Sequence, residues 1–164
     1  MDVSSLEKQK PEREPLRVII SLDVEEEGLF LGKYERLRPT VANVPRILNL
    51  KNLSVELKLP LTLLCAHSVF MDAKARLVLE EMRDQAGAEI GAHLHHWNTP
   101  PIDMGKTERE LERTHTIKRE LLRQKLSTLL EVGQNFQGAP LRSFRMGRWD
   151  LKAEILPLLA EQGI

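Results

Sequence analysis

The sequence predicts an α/β fold built from parallel strands with outer helices. Short apolar runs of strand length recur along the chain, and segments with apolar residues at three- and four-residue spacing lie between them. Acids, histidines and arginines gather just after the runs. Strands that alternate with helices pair in parallel, and in such folds the reacting groups sit beyond the C-terminal ends of the strands.

Residues 1–15 are polar, carry two prolines and show no periodicity, so they read as a flexible leader to a domain spanning 16–164. The β-branched run 16–23, bounded by Pro15 and by acids, suits a strand buried on both faces. Within 40–59, Val44, Ile47, Leu48, Leu50, Leu53 and Leu57 follow helical spacing, and Pro60 ends the pattern. A second strand is expected over 61–67. A helix follows over 73–85, carrying Leu77, Val78 and Met82 and stopped by Gly87. Residues 88–93 form the third strand. The longest helical pattern, 106–132, places Leu111, Leu122, Leu126 and Leu129 near one stripe, and Thr107 with Glu110 makes a capping box. It reads as a lid or outer-ring helix. A fourth strand over 141–145 and a helix from Asp150 to 160 complete the series.

Composition narrows the function. Of the 164 residues, 41% are apolar and 29% charged, the balance of a globular domain. The 24 basic and 24 acidic residues cancel, which leaves no field to recruit nucleic acid or an anionic membrane. Cys65 lies inside an apolar run and reads as a small buried hydrophobe, not half of a disulfide. The first residues lack the apolar stretch of a signal peptide, and no later segment approaches the roughly 18 apolar residues of a membrane span. A soluble, cytoplasmic protein is expected. Neither a Gly-x-Gly-x-x-Gly nor a Gly-Lys-Ser/Thr loop is present, which argues against a nucleotide-binding module.

Three strand ends carry chemistry. Asp23-Val24-Glu25 closes the first strand, and in extended chain residues i and i+2 share a face roughly 6.6 Å apart, so both carboxylates face one pocket. His93-Leu94-His95-His96-Trp97 closes the third, with His93 and His95 again at i and i+2. A catalytic zinc-type site wants nitrogen and oxygen ligands and an open position, which two histidines and one acid provide. Ser143-Phe144-Arg145-Met146-Gly147-Arg148-Trp149 closes the fourth, bringing two guanidinium groups and an indole to the same edge. An arginine holds a neighbouring carboxylate ionised, and a tryptophan face packs on a sugar ring. Singly, the clusters also read as solvated acids, surface histidines, or a helix entry and a core aromatic; together they describe one site.

Strand-ending acids, then Glu89-Ile90-Gly91-Ala92-His93 running into the histidines, then Phe144-Arg145-x-Gly-Arg-Trp149, resemble the first three motifs of the polysaccharide deacetylase (NodB-homology) family over residues 18–164. The resemblance implies an incomplete (β/α) barrel and a divalent-metal hydrolase, cleaving non-peptide carbon–nitrogen bonds, that removes acetyl groups from a carbohydrate. By position, Asp23 resembles the catalytic base and Arg145 the arginine that orients it. Glu25 takes the place of the metal-binding acid, since the commoner family form puts that acid where Val24 stands. His93 matches the first metal histidine. The usual second one falls at Trp97, so His95 is assigned, with His96 as the alternative. Trp97, Arg148 and Trp149 are expected to line the substrate groove, and zinc, or else cobalt or nickel, to be the cofactor. Such an ion polarises the acetyl carbonyl and acidifies water, and Asp23 takes up the proton.

The family's general-acid histidine belongs to a later motif that this sequence lacks. The catalytic domain is therefore expected to be incomplete, partnered by a complementing C-terminal half or an oligomer. The alternative function is a non-catalytic, metal-binding remnant.

Overall fold

A computed structural model describes residues 17–102, 104–105 and 117–164. The leader 1–15 and the capping box of Thr107 and Glu110 lie outside the described residues. Four strands, β1 (Ile20–Val24), β2 (Leu61–Cys65), β3 (Glu89–Leu94) and β4 (Phe144–Met146), form one sheet in the order β1-β2-β3-β4, with every pairing parallel.

The sheet is curled. Laid flat, its two outer strands would stand roughly 14 Å apart at ordinary strand spacing. Yet Arg145 on β4 donates to Asp23 Oδ1 and to Ser21 Oγ on β1, each at 2.5 Å. An extended arginine cannot span a flat sheet to reach a serine hydroxyl, so the strands bend into a half-barrel whose inner face carries the contact.

Strand parity divides the residues between two faces. Val24, Leu63, Cys65, Ile90, Ala92, Leu94 and Met146 are buried in the hydrophobic core together with Leu79, Met82, Leu126 and Leu129 of the helices. Ser21, Asp23, His93 and Arg145 occupy the alternate positions. The strand expected to be buried on both faces therefore has one apolar and one polar face. It also starts late: pairing begins at Ile20, and Val18 and Ile19 are 58% and 83% exposed.

The helices depart from expectation where backbone geometry overrides periodicity. Over 40–59, a 3-10 run (Val44–Leu50) with Pro45 in its first turn precedes α1 (Lys51–Leu57). The second strand stops at Cys65, because His67 opens a short helix, α2 (His67–Met71), that apolar spacing did not reveal. Helix α3 (Ala73–Ala86) agrees to one residue, capped by Asp72, which accepts from the Ala75 amide, and ended by Gly87 at φ 66°. Helix α4 (Arg119–Gln137) runs past residue 132 to Gly138, whose φ of 75° suits glycine. Asp150 opens no helix; a 3-10 turn (Ala153–Ile155) leads into α5 (Leu156–Glu161). Among the described residues no helix is long and apolar enough to cross a membrane.

One buried charge ties α4 to the loop after β3. Lys125, 1% exposed, donates to the carbonyls of Thr99 at 2.6 Å and Pro101 at 2.5 Å. Replacing the ammonium by a thioether leaves both carbonyls without this donor. Lys125→Met is therefore expected to lower stability by about 2–4 kcal/mol, read from the urea midpoint; an unchanged midpoint would remove Lys125 as an anchor.

Candidate metal centre

The inner face of the half-barrel gathers the strand-end residues because their registers align. Asp23 pairs with Leu64, Leu64 with Gly91, and His93, two residues beyond Gly91, with Arg145. Residues 68 apart in sequence thus meet: Glu25 Oε2 lies 3.1 Å from His93 Nε2 and 3.1 Å from His95 Nε2. One ligand atom from each of Glu25, His93 and His95 lies within 4.8 Å of the others.

The outer nitrogens decide what the inner ones present. His93 Nδ1 lies 3.2 Å from the carbonyl of Arg145, and His95 Nδ1 lies 2.9 Å from Glu26 Oε1. Both partners are acceptors, so both Nδ1 atoms donate, and each neutral imidazole turns an Nε2 lone pair inward. Two lone pairs and a carboxylate oxygen then face one another, an arrangement that could hold a cation between them. For metal–nitrogen and metal–oxygen bonds of about 2.0–2.1 Å, a tetrahedral ion separates its ligands by about 3.3 Å. The observed 3.1 Å contacts fit such an ion.

Without metal, protons take its place. Burial alone would raise the Glu25 carboxyl, but hydrogen bonds from His93 and His95, and their charge, outweigh it and bring the group to about 2 from an ordinary 4.5. Glu26 is shifted the same way: burial opposes, and the hydrogen bond and charge of His95 prevail. His95 moves up, because burial is outweighed by the two carboxylates that hold its imidazolium.

The consequence for stability follows from the signs. The depressed Glu25 carboxylate contributes above pH 4.5 and loses that contribution as pH falls toward 2, and Glu26 acts in the same direction. The raised histidine contributes below pH 6.5 and loses it as pH rises through its folded value. Metal-free protein is thus expected to melt highest between these limits and to weaken on the alkaline side. Metal-loaded protein should gain there instead, since the ion binds the deprotonated imidazole. Parallel alkaline trends in melting temperature with zinc and with chelator would count against the assignment.

Glu26 is the residue that sequence reasoning missed. It is 2% exposed, and besides His95 it accepts from Trp97 Nε1 at 3.1 Å, Asn98 Nδ2 at 2.6 Å and Ser68 Oγ at 3.4 Å. A carboxylate behind a ligating histidine fixes its tautomer and ring angle, and removing such a group costs about 10–100-fold in metal affinity. Glu26→Gln is expected to fall in that range in a competitive zinc titration; an affinity within twofold of wild type would relegate Glu26 to packing.

The other expected site residues divide. Asp23, bonded to Arg145, lies 3.9 Å from His93 Nδ1. Trp149 is 76% exposed with the Arg145 guanidinium 4.6 Å over its ring, so the pair carrying Asp23 is roofed by an open indole. Arg148 stacks at 5.1 Å on Tyr34 and donates to its hydroxyl. Arg148 and Trp149 both adopt left-handed backbone, with φ of 58° and 56°. Gly147 before them is required by contact: a Cβ there would lie 2.6 Å from the His95 ring.

Trp97 does not line an open groove. It is 2% exposed, stacked on His95 at 4.2 Å and tied to Glu26, so it backs the candidate ligand His95 instead of lining an open surface. His96 is fully buried beside Trp97 at 5.1 Å and stands outside the ligand group.

Comparison with known protein families, curated proteins and solved structures returns no match to this chain.

Proposed function

We propose that this protein is a metal-dependent hydrolase of the polysaccharide deacetylase type, removing acetyl groups from a carbohydrate. The observation that carries the reading is the Asp23–Arg145 pair on the same face as the Glu25, His93 and His95 cluster. A bare metal-storage site needs no such neighbour.

Glu25, His93 and His95 hold the ion, and two imidazoles with one carboxylate suit zinc first, with cobalt and nickel accepting the same donors. When bound, such an ion supplies Lewis acidity to a carbonyl and to water. Arg145 aims Asp23, through one nitrogen to its carboxylate and the other to Ser21. Asp23 accepts the proton that water gives up. The exposed Trp149 offers an apolar face to a sugar ring beside that base.

The test is acetate released from an N-acetylated glucosamine oligosaccharide by the zinc-loaded chain and by Asp23→Ala. Release by wild type alone supports the reading. Equal release by both removes the hydrolase and leaves a metal-binding protein.

A further inference from the structure

Beside the metal centre lies a second feature, a cavity of about 900 Å³. It is walled by the loops that follow β1 and β3 and by α2 and the start of α3, which follow β2, so it lies at the same C-terminal edge of the sheet. Ser68 and Asn98 line it, and both donate to Glu26, the carboxylate behind His95. One buried side chain thus separates the cavity wall from a metal ligand.

The charge that the described residues give this cavity is positive. Among the described residues, Arg36, Arg38 and Lys74 line it against the single carboxylate of Asp72. That carboxylate is turned to the Ala75 amide at 2.8 Å, as the cap of α3. The neighbouring acids are also engaged within the protein: Glu35 accepts from the amides of Leu37 and Arg38, and Glu27 from the Thr40 hydroxyl. Arg38 and Lys74 form no ion pair among the described residues, and the Arg38 charge acts at longer range on the exposed Glu35 carboxylate. The start of α3, a helix of 14 residues, adds its positive end to the same wall. At Asn98, 5% exposed, the amide N–H groups go to Glu26 and to the Glu35 carbonyl, and Oδ1 has no hydrogen-bond partner among the described residues. Cations suited to an anion therefore line one wall of the cavity.

We propose that this cavity is a subsite for the anionic group, phosphate or carboxylate, of a carbohydrate substrate. The inference rests on the carbohydrate reading above and extends it: the acetylated sugar at the metal centre carries, or is joined to, a negatively charged unit. Arg38 and Lys74 bind that unit, and neither belongs to the metal or proton-transfer machinery.

The experiment is calorimetric titration of the zinc-loaded chain with glucose, glucose 6-phosphate and glucuronate, for wild type and for the Arg38→Ala/Lys74→Ala double variant. At least one of the two anionic sugars is expected to bind roughly tenfold or more tightly than glucose, and which one does so identifies the anion. The advantage should vanish in the double variant while zinc content stays the same. Equal binding of all three sugars, or an advantage that survives the double variant, overturns the subsite. Failure of the hydrolase reading looks different. In that case acetate release is independent of Asp23, whereas the Arg38- and Lys74-dependent preference persists.

Discussion

Isolated with zinc present, the wild-type chain is expected to carry about one divalent ion, and His93→Ala or His95→Ala to carry none after dialysis. The site offers three candidate ligands, two imidazoles and a carboxylate, with Nε2 and Oε2 already converged. Structural zinc sites with four ligands bind with about 10–16 kcal/mol, so each ligand accounts for a few kcal/mol. Losing one therefore weakens binding on the order of a hundred- to a thousandfold. His96→Ala is the built-in control, because that ring stands outside the ligand group and its loss should leave metal content unchanged. Mass spectrometry of the native protein gives the ion directly. Full metal content in His93→Ala and His95→Ala, or loss in His96→Ala alone, would move the centre elsewhere.

The second large effect belongs to Asp23. In Asp23→Asn the side chain keeps its shape and an oxygen to accept from Arg145, but it no longer takes up a proton. General-base catalysis contributes about 10²–10⁴-fold, and acetate release at saturating zinc should fall by that factor. Zinc content should hold, since Asp23 is not among the three ligands. Arg145→Lys is expected to act in the same direction, because an ammonium is a point charge and does not reproduce a planar fork that reaches Asp23 and Ser21 together. Here too zinc should stay bound. Parallel loss of metal and activity in Asp23→Asn would show that the carboxylate supports the site's structure and would remove its role as base.

Local rules carried the candidate site as far as its faces. Asp23 with Glu25, and His93 with His95, stand two apart at strand ends, and the two-residue period of extended chain puts each pair on one side whatever the rest of the fold does. Glu26 shows where such reasoning stops. It is one of three consecutive glutamates, and nothing local separates the buried one from its less buried neighbours. The available signal lay in its partners: Trp97 and Asn98, in the same segment as the histidines, bring an indole and an amide donor to one acceptor. Trp97 is legible as an aromatic near the site, but its direction is not, because stacking on His95 turns it inward.

The sequence by itself determined the α/β class, the order of strands and helices along most of the chain, and the convergence of chemistry at the C-terminal strand edge. Each depends on periodicity, breakers and parity, which act over a few residues. Only the tertiary structure decided that the sheet curls, that Arg145 reaches Asp23 across 122 residues, that His95 and not His96 faces Glu25, and that α2 interrupts the second apolar run. Those outcomes depend on long-range register and on which buried polar groups find partners. Satisfying Glu26, His93 and His95 at once is a property of the assembled sheet, and no window of the sequence contains it.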